Sequence, residues 1–271
     1  MASAFSLTHL QPLIAFPFRQ PRGLQKLVIG AALTLLGIAI PILPTLFVLG
    51  YQSAVARRAI RTGELEMPEW TDWSTLLVDG LKVFGVGLIY TLPAIAVIMV
   101  GYAGMMSTSV MAAIMEDAGP NEVLRWMWVP LLGSLGGIGL FGVGMLLALL
   151  AGAFAPVALA HMLATDSFAA AFRVRQWWPI LRANLGGFVL AYVLILGVSM
   201  AFSLAVQVLS FTIVLCLLVP LATVFYSMYV WTVGSGLIGL AYRDAVEKLA
   251  VQPALPPSAV PDPPAAPAAP A

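Results

Sequence analysis

Charge is the first thing this sequence lacks. Lys, Arg, Asp and Glu make up 9% of its 271 residues while 61% are hydrophobic, and an ordinary soluble domain carries roughly 25% charged residues. So few polar groups cannot cover a water-facing surface, which excludes a soluble protein. Cysteine is nearly missing too: Cys216 stands alone, so no internal disulfide forms. Acids and bases almost cancel at net +1, leaving no electrostatic basis for binding nucleic acid. No nucleophile–base pair, zinc-ligand spacing or phosphate loop occurs, so no catalytic residue, metal site or cofactor is expected.

What the chain has instead is long apolar runs. Residues 27–56, 83–115, 126–165 and 183–242 are free of Lys, Arg, Asp and Glu, and a membrane helix needs only about 20 predominantly apolar residues. The first run is too long for the h-region of a cleavable signal and is expected to stay as a membrane segment. It makes either one kinked span or two short helices. Two prolines three apart in Ile40-Pro-Ile-Leu-Pro44 break the helical ladder and favour a turn. With a hairpin there, twelve of the thirteen Lys and Arg residues share one side, the arrangement expected of a cytoplasmic face.

The predicted architecture is all-α: a polytopic bundle of about six transmembrane helices, near 24–41, 43–60, 80–106, 128–163, 185–207 and 209–242, with both termini cytoplasmic and interfacial amphipathic helices beside them. Residues 1–251 form one domain. Residues 252–271 form a Pro/Ala-rich tail that cannot build a core. A GxxxG at Gly133 and Gly137 lets two helices approach closely, either within the chain or as a homo-oligomer seam through helix 128–163.

Two connections carry most of the polar chemistry. In Leu65-Glu-Met-Pro-Glu-Trp-Thr-Asp-Trp-Ser-Thr-Leu-Leu-Val-Asp-Gly80, helical period begins at Asp72, a candidate N-cap. Trp73, Leu76, Leu77, Gly80, Leu81 and Phe84 share one face, with Thr75, Asp79 and Lys82 opposite. Trp70 and Trp73 suit the headgroup level as anchors. Alternatively Pro68, Glu69, Trp70, Asp72, Trp73 and Asp79 form a contact surface for another membrane or cytoplasmic protein, since acids should avoid anionic headgroups. In the second connection Arg173, Arg175, Trp177 and Trp178 are candidate lipid-headgroup contacts. Trp73-x-x-Leu76-x-x-Asp79 and Trp178-x-x-Leu181-x-x-Asn184 have the same spacing. Within the spans only neutral polar groups remain; Tyr90, Ser199, Ser203 and Tyr226 are candidates to line a cavity, or else to bond helix to helix.

Ala15-Phe-Pro-Phe18, Ile40-Pro-Ile-Leu43, Gly50-Tyr51 followed by Arg57 and Arg58, Met67-Pro-Glu-Trp-Thr-Asp-Trp73, Asp79-Gly80 and Tyr90-x-x-Pro93 resemble the membrane-protein family catalogued as domain of unknown function 4013. The likeness is dense over residues 14–93 and continues loosely to Tyr242-Arg243. It implies a multi-pass prokaryotic membrane protein and carries no activity with it. The expected role is a non-enzymatic scaffold or accessory subunit of the inner membrane; the alternative is a permease or lipid-handling channel for a neutral or amphiphilic molecule.

Overall fold

The computed structural model describes residues 10–116, 119–210 and 218–251, so the 252–271 tail and Cys216 lie outside the described residues. Those residues fold as helices: α1 Leu10–Arg19, α2 Gly23–Ala39, α3 Leu43–Thr62, α4 Trp73–Ile114, α5 Pro120–Trp126, α6 Trp128–Thr165, α7 Val174–Ala183, α8 Leu185–Ser210 and α9 Val219–Val251. A 3-10 turn, Phe168–Phe172, joins α6 to α7. No strand occurs among the described residues. The result is an all-α transmembrane helical bundle.

Local chemistry sets the breaks. Proline at 41 cannot continue α2, and Ile42 takes a positive φ of 78° before α3 resumes with Pro44 in its first turn. At the other end of α3, Gly63 adopts φ 77° and returns its N–H to Ala59 O, a left-handed cap that only glycine reaches without strain. Asp72 caps α4 as expected, accepting from Thr75 N at 3.1 Å. The amphipathic turns after Asp72 and the following span are therefore one unbroken helix of 42 residues.

The six expected helices are all present, but they are not six full crossings. Four helices, α4, α6, α8 and α9, are long and apolar enough to span a membrane, and α1 with α2, bent by 88° between them, makes a fifth at most. The pair α2 and α3 does form the expected hairpin. At 17 residues, however, α2 is about 25 Å long, short of a hydrocarbon core of about 30 Å. The lower half of α3 carries Gln52, Arg57, Arg58 and Arg61. The hairpin folds α3 back along α2. By contrast α4 and α6, with 42 and 38 residues, are about 63 and 57 Å long. They must tilt strongly or project beyond the core.

Packing divides the molecule. Along the α4–α6 pair the backbones nearly touch: a Cβ on Gly137 would stand 2.6 Å from Gly101 O, and one on Gly104 2.8 Å from Gly133 O. The Gly133–Gly137 motif is thus used inside the chain, where small residues replace side-chain packing with backbone contact. The other long pair is α8 on α9. Among the described residues α8 packs on α9 and α7 and not on α4 or α6, apart from the Tyr192 hydroxyl, which donates to Gly152 O at 2.6 Å. All the described helices except α5 reach the charged end, where α3 lies along α9. One core there gathers Phe16, Leu27, Tyr51, Met67, Trp70 and Leu237; a second gathers Val86, Val157, Trp177, Leu181 and Tyr242.

Candidate functional site

The acidic connection is a strap clamped across the charged end. Because Pro68 holds Met67 extended, the backbone groups of residues 65–68 point outward from the chain and need partners. Gln20, in the bend between α1 and α2, supplies two: its Nε2 donates to Leu65 O, and its Oε1 accepts from Met67 N at 2.7 Å. The Lys26 ammonium donates to Met67 O at 2.7 Å and pairs with Glu69 at 2.9 Å. The Tyr51 hydroxyl donates to Pro68 O at 3.1 Å. Trp70 closes the clamp, its ring stacked on Tyr51 with centroids 4.1 Å apart and its Nε1 donating to Lys26 O.

This geometry explains why acids stand where lysines would bind lipid better. Glu66 pairs with Arg58 and Glu69 with Lys26. Asp79 receives Arg57 at 2.6 Å, with Lys82 at 3.6 Å. Arg57 also reaches Asp166 at the end of α6, at 3.3 Å, and Arg61 meets the same carboxylate at 2.8 Å. One guanidinium thereby ties α3 to α4 and α6. Asp72 instead serves the helix start: bonds from the side chain and N–H of Thr75 and from Ser74 hold its carboxyl below the usual range.

The six residues expected to form one contact surface are split. Glu69, Asp72 and Trp73 are exposed and Pro68 is half-buried, but Trp70 (8% exposed) and Asp79 (5%) are inside. Placing Asp79 on a solvent face by helical period is corrected. At the α3–α4 crossing, a Cβ on Gly50 would run into Leu76 O and one on Gly80 into Leu46 O. Two bare backbones in contact carry the neighbouring Asp79 against Arg57. Trp70 is likewise a core residue rather than a headgroup anchor. Trp73, 42% exposed, keeps a peripheral place with its ring edge-on to Phe47.

The second connection repeats the pattern. Trp177 is buried and donates to Ala171 O at 3.0 Å, which corrects its expected contact with headgroups. Trp178, Arg173 and Arg175 are exposed. Trp178, Leu181 and Asn184 match Trp73, Leu76 and Asp79 in burial as well as spacing: the tryptophans outside, the leucines and the polar residues inside. Asn184 does for α8 what Asp79 does for α4, bonding Ala241 O and Lys248 of α9 at 3.0 and 2.7 Å. Beside it, His161 Nδ1 shares a 2.7 Å hydrogen bond with the Tyr242 hydroxyl, and its Nε2 lies 3.3 Å from Gln176 Oε1.

The expected cavity lining is not brought together. Tyr90 donates to Ala171 O at 2.8 Å in the charged-end core. Tyr226 donates to Ser199 Oγ at 2.8 Å and stacks on Phe202, while Ser203 is exposed. The small void beside α8 and α9, about 10 Å³, is lined by apolar residues and Tyr229 and lacks the polar partners that would hold a water. Among the described residues no three His, Cys, Asp or Glu could hold a metal ion. Sequence reasoning passed over Gln20 and Lys26 and gave Tyr51 and Asn184 no bonding role, though the four make most of the clamps. Signals were available in Lys26 placed directly against an apolar run and in the matched spacing that puts Asn184 where Asp79 stands.

A family model described as "Protein of unknown function (DUF4013)" matches residues 33–211, about two thirds of the chain. No curated protein and no solved structure matches.

Proposed function

Because the chain belongs to the DUF4013 family of proteins of unknown function, which brings no activity with it, we propose a role from the geometry: a non-enzymatic membrane scaffold or accessory subunit. It sits in the inner membrane with its charged end in the cytoplasm. The observation that carries this reading is the clamped strap. A connector between α3 and α4 needs only to span the gap, yet five side-chain bonds from α1–α2, α3 and Trp70 fix it. Its inner side is consumed by that fixing. Its outer side holds Glu64, Glu66, Glu69 and Trp73 exposed in a preorganised array, which lowers the ordering cost of binding a basic partner.

The uncovered spans support the same role. About half of the most apolar stretch of α9 is buried, but only 6% of that of α8 and 11% of those of α4 and α6, leaving long flanks free for other membrane components. The permease reading would need a polar-lined path, whereas Tyr90, Ser199 and Tyr226 are bonded to one another or to backbone and Ser203 lies exposed apart from Tyr90.

Affinity purification of the full chain from native membranes tests the proposal. Substituting the outward Glu64 and Glu66 together by glutamine should remove a co-purifying protein while the melting temperature stays near wild type, since both side chains are exposed. An unchanged set of partners refutes it. Tags at residues 64 and 118 should report opposite sides of the membrane.

A further inference from the structure

Seven of the thirteen cationic side chains have an acid of this chain: Lys26, Arg57, Arg58, Arg61, Lys82, Arg243 and Lys248. Arg125 lies over Trp126. Arg19 and Arg22 flank the bend before α2, and the last three, Arg173, Arg175 and Arg182, gather on and beside the ten-residue α7. Among the described residues no acid pairs with this cluster. The sequence contains no acid between Asp166 and Asp244, and Asp166 is already held by Arg57 and Arg61.

The helix sorts these residues by face. Trp177, Ile180 and Leu181 are buried against the bundle, whereas Arg175, Trp178, Pro179 and Arg182 are exposed. The spacing 175, 178, 182 places them in one stripe. Within it the Arg182 guanidinium lies 5.1 Å over the Trp178 ring. One residue after α7, at Leu185, the apolar span α8 begins. The stripe therefore stands at the membrane boundary, where an indole places its body among acyl chains and its N–H in the headgroups.

We propose that the outer face of α7, with Arg173, is a docking ledge for an anionic phospholipid, its phosphate gripped by the arginines and its glycerol backbone resting on Trp178. Guanidinium groups suit this because their planar fork binds phosphate oxygens two at a time. Charge complementarity selects the occupant: three unneutralised cations at the start of a span meet the one dense source of phosphate at that depth.

The test compares retention of a labelled phosphatidylglycerol with that of a phosphatidylcholine of the same acyl chains by the purified full chain in detergent micelles. The anionic lipid should bind preferentially. R173Q/R175Q/R182Q should weaken it about a hundredfold, from roughly a fivefold loss per arginine near an anionic surface. R19Q/R22Q removes two equally unpaired charges and should change binding by no more than about twofold. If the triple variant fails to fold, R175E alone should weaken binding more than about fivefold. Equal binding of the two lipids, wild-type affinity in the variants, or an equal loss in R19Q/R22Q overturns the ledge. Competition by millimolar inorganic phosphate also overturns it, since the ligand is then a soluble anion.

Discussion

Trp70 and Trp73 are three residues apart and look alike in the sequence, yet the structure separates them sharply, and their substitution should do so too. Trp70 is 8% exposed and Trp73 42%. An indole buries about 200 Å², so at about 25 cal/mol per Å² the covered surface is worth about 4–5 kcal/mol at Trp70 and about 2–3 at Trp73. The near-parallel stack on Tyr51 adds about 1 kcal/mol at Trp70. Trp70→Ala should therefore cost about 5–6 kcal/mol and release the strap, while Trp73→Ala costs about half as much. Trp70→Phe keeps a ring on Tyr51 and loses the Nε1 bond to Lys26 O, for about 1–2 kcal/mol. Reversible unfolding in mixed micelles, followed by a tertiary signal, measures all three. Equal costs for the two alanine variants would refute the core assignment of Trp70 and restore both tryptophans as interfacial anchors.

Other perturbations probe the same end of the molecule. Gly80→Ala drives a Cβ into the Leu46 carbonyl, backbone that cannot yield, and should reach or exceed the upper end of the 1–3 kcal/mol cost of overpacking; Gly87→Ala, with nothing within 4 Å, should be neutral or stabilise by up to about 1 kcal/mol, both read by thermal melting in detergent. Asp79→Ala leaves Arg57 buried with only Asp166 and should cost about 3–5 kcal/mol in the same micelle unfolding, whereas R57M/D79L recovers most of it. The Asp72 cap should be acid-labile. A carboxyl held below its ordinary 3.8 stabilises the fold fully above that value and loses this as pH falls through the lower, folded value. The melting-temperature gap between wild type and Asp72→Ala should accordingly persist at neutral pH and close only below pH 3.8.

The parts of the fold set by one-dimensional chemistry were legible without coordinates. Scarcity of charge placed the chain in a membrane, Pro41 and Pro44 marked the turn of the hairpin, and Asp72 announced the start of α4. Each works through the backbone or solvent within a few residues of itself. Helical period was less reliable beside Gly80, because period ranks faces by polarity and cannot know that a bare backbone will draw a neighbouring carboxylate to an arginine 22 residues away. The family likeness rested on residues that turn out to be clamps: Tyr51, Met67-Pro-Glu-Trp70 and Asp79.

By itself the sequence determined the solvent of this protein, its helical class, the hairpin and the end at which its charges collect. These follow from the cost of unpaired backbone and charge in hydrocarbon, which acts on every residue wherever it packs. Only the tertiary structure decided which acids meet which cations, that Trp70 and Trp177 point inward while Trp73 and Trp178 point outward, and that the arginines of α7 meet no acid among the described residues. Those outcomes depend on pairings across 22 to 109 residues of chain, set by how closely glycine-lined helices can approach, and no local pattern contains them.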